Sequence, residues 1–175
     1  MDDFKKIIIP LLGVAVFIIF VGFLYNKDKF KLPFSNKAKT TSESSKSIDI
    51  KIGKNTIKAT LANTNELRKT GLGGVGKLEE NGGMLFVFEE KGGTGRYPPV
   101  FWMKDMLIAI DILWIDDGKI TQIDKNIKPP QKDTPDKDLT KYTPKNPVDY
   151  VLEVGGGYSD KNGIKEGDDV EIPNL

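Results

Sequence analysis

The sequence contains neither cysteine nor histidine. Without cysteine the chain cannot form a disulfide, use a thiolate nucleophile or hold an iron–sulfur cluster or a Cys-type zinc site. Without histidine it lacks the usual general base near neutral pH, and a Ser-His-Asp hydrolase is excluded. Any catalysis has to use Asp, Glu, Lys, Tyr or Thr, or a metal bound through oxygen ligands. We predict no cofactor and no metal site.

Basic and acidic residues are distributed unevenly along the chain. Residues 1–46 contain eight Lys against four acidic residues, whereas residues 47–175 contain eighteen Lys and Arg against 21 Asp and Glu. A nucleic-acid partner requires a concentrated basic face, and the larger segment is slightly acidic. We therefore expect no nucleic-acid partner.

Residues 7–25 form a run of nineteen residues without a charge. At about 1.5 Å per residue, a helix over this run is roughly 28 Å long, close to the hydrocarbon thickness of a bilayer. A cleaved signal peptide usually has a shorter apolar core, of about 7–15 residues. We predict an uncleaved transmembrane anchor over residues 1–25, which contacts the lipid bilayer through residues 7–25.

The segment after the anchor, residues 26–47, is rich in Lys, Ser and Thr and predicts a flexible linker. A short N-terminal head before a single span favours a cytoplasmic N-terminus, whereas the five Lys that follow the span oppose export of what comes next. These signals nearly balance. We expect a single-pass protein of the cell membrane whose soluble domain is extracytoplasmic.

Residues 48–175 have the pattern of a β-rich domain. Period-two alternation at Ser47–Ile52 and at residues 56–62, and the apolar run at residues 84–88, predict strands. Asp117 and Gly118 between two apolar runs are a strong hairpin signal. With no helices alternating between the strands, the pattern predicts a mostly β fold, a small antiparallel barrel or sandwich with one or two short helices.

Two segments between these strands stand apart. Thr64 is a plausible N-cap for a short helix that ends at Gly71. Residues 126–147 are rich in Pro, Lys and Asp, and a loop of this length is either functional or disordered.

A series of short blocks occurs in this order: Arg68, Gly71 and Leu72, residues 83–88 (GMLFVF), residues 101–104 (FWMK), Asp111 and Ile112, Asp116, residues 150–154, Gly163 and Ile164, and Gly167 and Asp168. They resemble the signature of domain-of-unknown-function family 192 over about residues 50–172, and the FWMK and GMLFVF blocks are the specific ones. The resemblance implies a small β-rich domain, often behind an N-terminal signal or anchor in bacterial and archaeal members. It implies no established activity and no catalytic residues.

The chain departs from that signature at several positions. Gly73 stands where the family has Met, and an arginine that follows is replaced within residues 74–76. Asp105 and Met106 replace Asn and Thr, and Ala109 replaces a proline. If the replaced residues belong to a ligand site in the family, that site is altered here.

Asp111 is the most informative acidic residue, because every other residue of the segment 107–115 is apolar. A carboxylate removed from water needs a cation or several donors. Arg68, one of only two arginines, offers the bidentate fork that suits a buried carboxylate. An Arg68–Asp111 ion pair is therefore predicted, either as a structural contact or as part of a ligand site.

The FWMK block suggests a second site. As a strand it places Phe101 and Met103 on one face and Trp102 and Lys104 on the other. The structural interpretation is a core strand with an edge aromatic. The functional one makes Trp102 and Lys104 the floor of a cleft that is roofed by the long loop with Tyr142. The complete candidate ligand cleft consists of Arg68, Trp102, Lys104, Asp105, Asp111 and Tyr142.

We interpret the protein as a membrane-anchored, non-catalytic binding or accessory domain for a small ligand, a glycan or a peptide. One alternative is a carboxylate-based envelope enzyme, such as a glycan hydrolase, that uses Asp111 with Asp105 or Glu153. Another is a purely structural envelope protein without a concave pocket.

Overall fold

The computed structural model of the chain describes residues 46–88, 98–173 and 175. These residues belong to one compact unit, Ser44–Leu175. The predicted anchor and nearly all of the predicted linker lie outside the described residues. No helix within the described part is long and apolar enough to cross a bilayer. The first strand begins at Ser47, one residue before the predicted start of the domain.

Strands account for most of the regular structure. In chain order the elements are β1 (Ser47–Ile52), β2 (Asn55–Ala62), α1 (Asn65–Thr70), β3 (Gly82–Val87), β4 (Phe101–Trp102), β5 (Ile110–Asp116), β6 (Lys119–Ile127), a 3-10 helix (Asp136–Asp138), β7 (Lys141–Tyr142), β8 (Tyr150–Gly155), α2 (Tyr158–Asn162) and β9 (Val170–Glu171). The predictions of a mostly β fold with one or two short helices, of which the structure has two, and of a hairpin at Asp117 and Gly118 are confirmed.

Seven strands form one curled sheet in the order β6-β5-β8-β3-β2-β1-β9, and β4 pairs with β7 in a separate two-stranded sheet. The two edges of the large sheet touch, since Ile120 N donates to Asp168 O (3.0 Å) and Val170 N donates to Gly118 O (2.8 Å). The sheet is thus barrel-like, as predicted. It is not fully antiparallel, because β2 and β3 pair in parallel and are joined by the crossover that contains α1.

The central strands are apolar on both faces, because both faces are covered. One face packs around Ile57, Leu85, Leu113 and Leu152, and we call it the inner core. The opposite face carries a second cluster, the outer core, which contains Met84, Phe86, Ile112, Trp114 and Val151. Neighbouring residues of one strand therefore enter different cores. This alternation decides where the buried acidic residues lie.

Candidate functional site

The FWMK segment lies over the outer core. The Phe101 ring meets the Phe86 ring edge-to-face at 4.8 Å between centroids, and the Trp114 ring at 5.5 Å. Met103 is buried, whereas Trp102 keeps 40% of its surface exposed. The predicted alternation of faces in this block is confirmed. It anchors the segment through Phe101 and Met103 and leaves Trp102 available at the surface.

A cavity of about 380 Å³ opens between α1, the end of β3 and the FWMK segment. Its walls are aromatic and comprise Phe86, Phe88, Phe101 and Trp102. The volume is within the range of small-molecule sites, roughly 300–1,000 Å³. The lining also includes three cationic side chains, Arg68, Lys69 and Lys104, and one carboxyl group, that of Glu153. The cavity is therefore an apolar site with a few polar groups.

Trp102 stands beside two ammonium groups at the edge of this cavity. Lys141 Nζ lies 3.6 Å from the Trp102 ring centroid, and Lys104 Nζ lies 5.6 Å from it. Lys104 also forms an ion pair with Asp136, and this hydrogen bond raises the pKa of Lys104. Trp102 and Lys104 are both exposed and therefore form the rim of the cavity. The prediction that they form the floor of a cleft is corrected in this respect.

Two further residues of the predicted cleft are near the FWMK segment but do not line the cavity. Tyr142 pairs with Phe101 between β7 and β4 and packs half-buried against the outer core. Asp105 is a turn residue with φ of 57°, and its carbonyl accepts from Gly74 N at 2.8 Å. The long loop between β6 and β8 is partly regular, since it contains the 3-10 helix and β7. It contacts the FWMK segment at Phe101 through Tyr142 and at Lys104 through Asp136.

Asp111 is completely buried, as predicted, but its partners are backbone N–H groups. Its Oδ1 accepts from Asn126 N (2.7 Å) and Gly157 N (2.8 Å), and its Oδ2 accepts from Ser159 N (2.8 Å). Three donors of this kind satisfy the hydrogen-bonding requirement of a buried carboxylate. Asp111 therefore fixes the start of α2 against the sheet, away from the cavity.

The predicted Arg68–Asp111 ion pair is wrong. The Arg68 guanidinium donates to Val87 O (2.7 Å) and to Asn65 Oδ1 (2.8 Å), and it lies 5.9 Å from the Phe88 ring centroid. Arg68 is on the side of the outer core, where it lines the cavity. Asp111 pairs with Val154 of the inner core, so the sheet separates the two side chains.

Glu153 lines the cavity but was not among the residues of the predicted cleft. On β8 it pairs with Met84 on one side and with Ile112 on the other, both of which belong to the outer core. The residue is 5% exposed, and within the described part of the chain its Oε2 has no hydrogen-bond partner. Burial raises the pKa of Glu153 to about 8. The available signal was an acidic residue inside the apolar run at residues 150–154, the same criterion that selected Asp111.

Residues 160–169 contain four acidic side chains, those of Asp160, Glu166, Asp168 and Asp169, and three of them are accounted for by contacts within the protein. Asp160 pairs with Lys125 and Asp169 with Lys119, while Asp168 accepts from Lys165 N at 2.9 Å. Within residues 46–88, 98–173 and 175, no three acidic side chains are grouped so that they could hold a metal ion.

Comparison with known proteins identifies a family and a fold. The model of family DUF192, described as an uncharacterized ACR, matches residues 48–172. A protein of unknown function from Novosphingobium aromaticivorans DSM 12444 is 26% identical with a TM-score of 0.63, covering 75% of this chain and 89% of its own. A "putative transcription regulator" from Sinorhizobium meliloti 1021 is 26% identical with a TM-score of 0.62, covering 73% and 94%. No curated protein matches the chain.

Proposed function

The chain belongs to the DUF192 family, and we propose that its β-domain is a non-catalytic binding module for a small ligand, a glycan or a peptide. In this proposal residues 7–25 tether the module to the cell membrane and the module faces the extracytoplasmic side. The observation that carries the proposal is the aromatic-walled cavity between α1 and the FWMK segment. Three residues selected from the sequence, Arg68, Trp102 and Lys104, meet there.

The rim of the cavity suits binding. A partly exposed Trp ring next to two ammonium groups offers a flat apolar face and positive charge at the same place. Phe101 fixes this rim to the outer core, so little conformational entropy is lost when a ligand stacks on Trp102. A preformed apolar site with a few polar groups is the usual architecture of a ligand pocket.

The described residues do not provide the geometry that a carboxylate-based hydrolase requires. A glycosidase uses two carboxyl groups roughly 5–10 Å apart on either side of a groove. Among the described residues that line the cavity, Glu153 is the only carboxylic acid. Asp111 lies on the opposite face of the sheet and already accepts three hydrogen bonds. These observations favour binding over glycan hydrolysis.

The proposal is tested by NMR titration of the full ¹⁵N-labelled chain in phosphatidylcholine nanodiscs. The probes are phenylacetate, N,N′-diacetylchitobiose and trialanine, one for each ligand class. The chain has two tryptophans, and Trp114 serves as an internal control because it is buried with its Nε1 bonded to Asp124 at 2.6 Å. We expect at least one probe to shift the indole signal of Trp102 saturably while the signal of Trp114 stays in place.

Matched variants locate the binding. Trp102→Ala is expected to weaken binding of the active probe, followed on backbone signals, by about tenfold. Leu107→Ala is the control, because Leu107 is an exposed apolar residue close in sequence that does not line the cavity. If none of the three probes binds at 10 mM, or if both variants weaken binding equally, the proposed binding function is wrong.

A further inference from the structure

The polar side chains that line the cavity differ in whether they have hydrogen-bond partners within the protein. Arg68 and Lys104 have hydrogen bonds to protein acceptors. Glu153 has an oxygen that is buried and has no hydrogen bond, although buried polar groups normally have a partner. Its strand neighbours on both sides, Met84 and Ile112, are apolar and cannot supply one. A buried, unpartnered carboxyl group at an open cavity is the arrangement expected of a group that a ligand completes.

We infer that the cavity takes a small organic anion with an apolar body, whose inner end carries a hydrogen-bond acceptor for the Glu153 carboxyl group. This inference rests on the proposed binding function and specifies its ligand. The anionic end faces the three cations, the apolar body lies against the aromatic walls, and an acceptor such as a ketone or amide oxygen reaches Glu153.

The charges of the side chains that line the cavity favour an anionic ligand. Arg68, Lys69 and Lys104 are the cationic side chains of the lining, and Glu153 is the only acidic one among its described residues. Lys104 and Lys69 are exposed, whereas Glu153 is buried, so positive charge lies at the opening and the carboxyl group lies deep. A cationic ligand has to pass three like charges before it reaches Glu153, whereas an anion is attracted by them.

The protonation state of Glu153 favours a ligand that carries a hydrogen-bond acceptor at its inner end. Burial raises the pKa of Glu153 to about 8, so at neutral pH the group is mostly the uncharged acid, which has one O–H to donate. Among the described residues, no hydrogen-bond partner is present for the Glu153 Oε2 atom. Among the described residues of the lining, the other charged side chains, on α1 and after β4, are Arg68, Lys69 and Lys104. A ligand oxygen that accepts from Glu153 therefore gains a buried hydrogen bond.

Three probes with the same ring separate these features. The first is (4-acetylphenyl)acetate, an anion with a ketone acceptor at the opposite end. The second, (4-ethylphenyl)acetate, lacks the acceptor, and the third, 2-(4-acetylphenyl)ethylammonium, reverses the charge. Dissociation constants are measured at pH 6.5 and pH 9 on the full chain in nanodiscs, from shifts of the Trp102 indole signal.

At pH 6.5 we expect the acetyl anion to bind about fivefold more tightly than the ethyl anion, since one neutral buried hydrogen bond is gained. The ammonium probe is expected to bind at least about fivefold more weakly than the acetyl anion. At pH 9 Glu153 is ionised and cannot donate a hydrogen bond. The ratio of the affinities of the acetyl and ethyl anions, which we call the acetyl preference, therefore falls to about one. In Glu153→Gln, whose amide donates at both pH values, the preference stays; in Glu153→Met it is absent at both.

The other possible outcomes distinguish failure of the inference from failure of the proposed binding function. Equal binding of the acetyl and ethyl anions at both pH values overturns the role of Glu153. Tighter binding of the ammonium probe, increasing from pH 6.5 to pH 9, shows a cation site and overturns the inference while the binding function stands. If none of these three binds but phenylacetate, chitobiose or trialanine does, only the inference fails; if phenylacetate, chitobiose and trialanine all fail to bind as well, the binding function also fails.

Discussion

Asp111 on β5 and Glu153 on β8 are buried acidic residues of adjacent strands whose side chains lie on opposite faces of the sheet. Asp111 is paired with Val154 and Glu153 with Ile112, so they are one position apart in register. Side chains alternate between the faces of a sheet, and this single step sends Asp111 towards the inner core and Glu153 to the cavity. Asp111 accepts from three N–H donors there, whereas Glu153 Oε2 has no hydrogen-bond partner among the described residues.

Replacing Asp111 tests its structural role. In Asp111→Ala the N–H groups of Asn126, Gly157 and Ser159 lose their acceptor, and unsatisfied buried donors are costly. We expect the free energy of unfolding in urea to fall by about 3–5 kcal/mol. Asp160→Ala, which removes an exposed ion pair with Lys125, is the control and is expected to change it by less than about 1 kcal/mol. Similar losses in the two variants contradict the assigned role.

Stability should depend on pH through Glu153. Burial raises the pKa of Glu153 from 4.5 to about 8, so the folded state holds a proton that the unfolded state releases above about pH 4.5. The Glu153 contribution is therefore most favourable below pH 4.5, is lost progressively up to about pH 8, and is constant above it. Glu153→Met removes this dependence. We expect the variant to be more stable than the parent at pH 8 by several kcal/mol and to show a smaller difference at pH 5.

Urea unfolding curves at pH 5 and pH 8 measure this difference, with Glu79→Met as a control for loss of an exposed carboxylate. A Glu153→Met variant whose stability falls from pH 5 to pH 8 as steeply as that of the parent shows that Glu153 is ionised at the lower pH.

Gly83 permits β3 to approach β8 at the level of Glu153. A Cβ atom added to Gly83 would lie 2.7 Å from the backbone oxygen of Glu153. The backbone cannot move aside as a flexible side chain does. We expect Gly83→Ala to lower the free energy of unfolding by about 1–3 kcal/mol. Gly155→Ala on β8 is the matched control, since nothing lies within 4 Å of its added Cβ. A smaller loss in Gly83→Ala than in Gly155→Ala disagrees with this packing.

The proposed orientation predicts protease sensitivity. If residues 7–25 anchor the chain and the β-domain is extracytoplasmic, added protease is expected to cut the linker of residues 26–47 in cells whose outer layers are permeable to it. A cytoplasmic marker protein has to stay intact in the same sample. Cleavage only after lysis contradicts the extracytoplasmic location.

Local signals in the sequence predicted the local structure well. Thr64 caps α1 as expected, accepting from Leu67 N at 3.2 Å, and the alternation of the FWMK block holds. These features depend on residues close together in the chain. The cleft was predicted in part: Arg68, Trp102 and Lys104 line the cavity, whereas Asp105, Asp111 and Tyr142 do not.

The errors arose from contacts between distant parts of the chain. The parallel β2–β3 pair and the three donors to Asp111 depend on which strands become neighbours, and no local pattern encodes that choice. Both Asp111 and Glu153 stand in apolar runs, so burial could be predicted for each. The face of the sheet, and hence the presence or absence of a partner, follows only from the register between β5 and β8.

The most direct test is the titration of the Glu153 side-chain carboxyl carbon by NMR in the full chain labelled with ¹³C-glutamate, assigned by its loss in Glu153→Gln. We expect a midpoint near pH 8, in keeping with burial without a partner. Saturating (4-acetylphenyl)acetate should move the midpoint upwards, because the probe binds the protonated acid. A midpoint near 4.5, or a midpoint that the bound probe lowers, contradicts the assignment of Glu153 as the hydrogen-bond donor of the cavity.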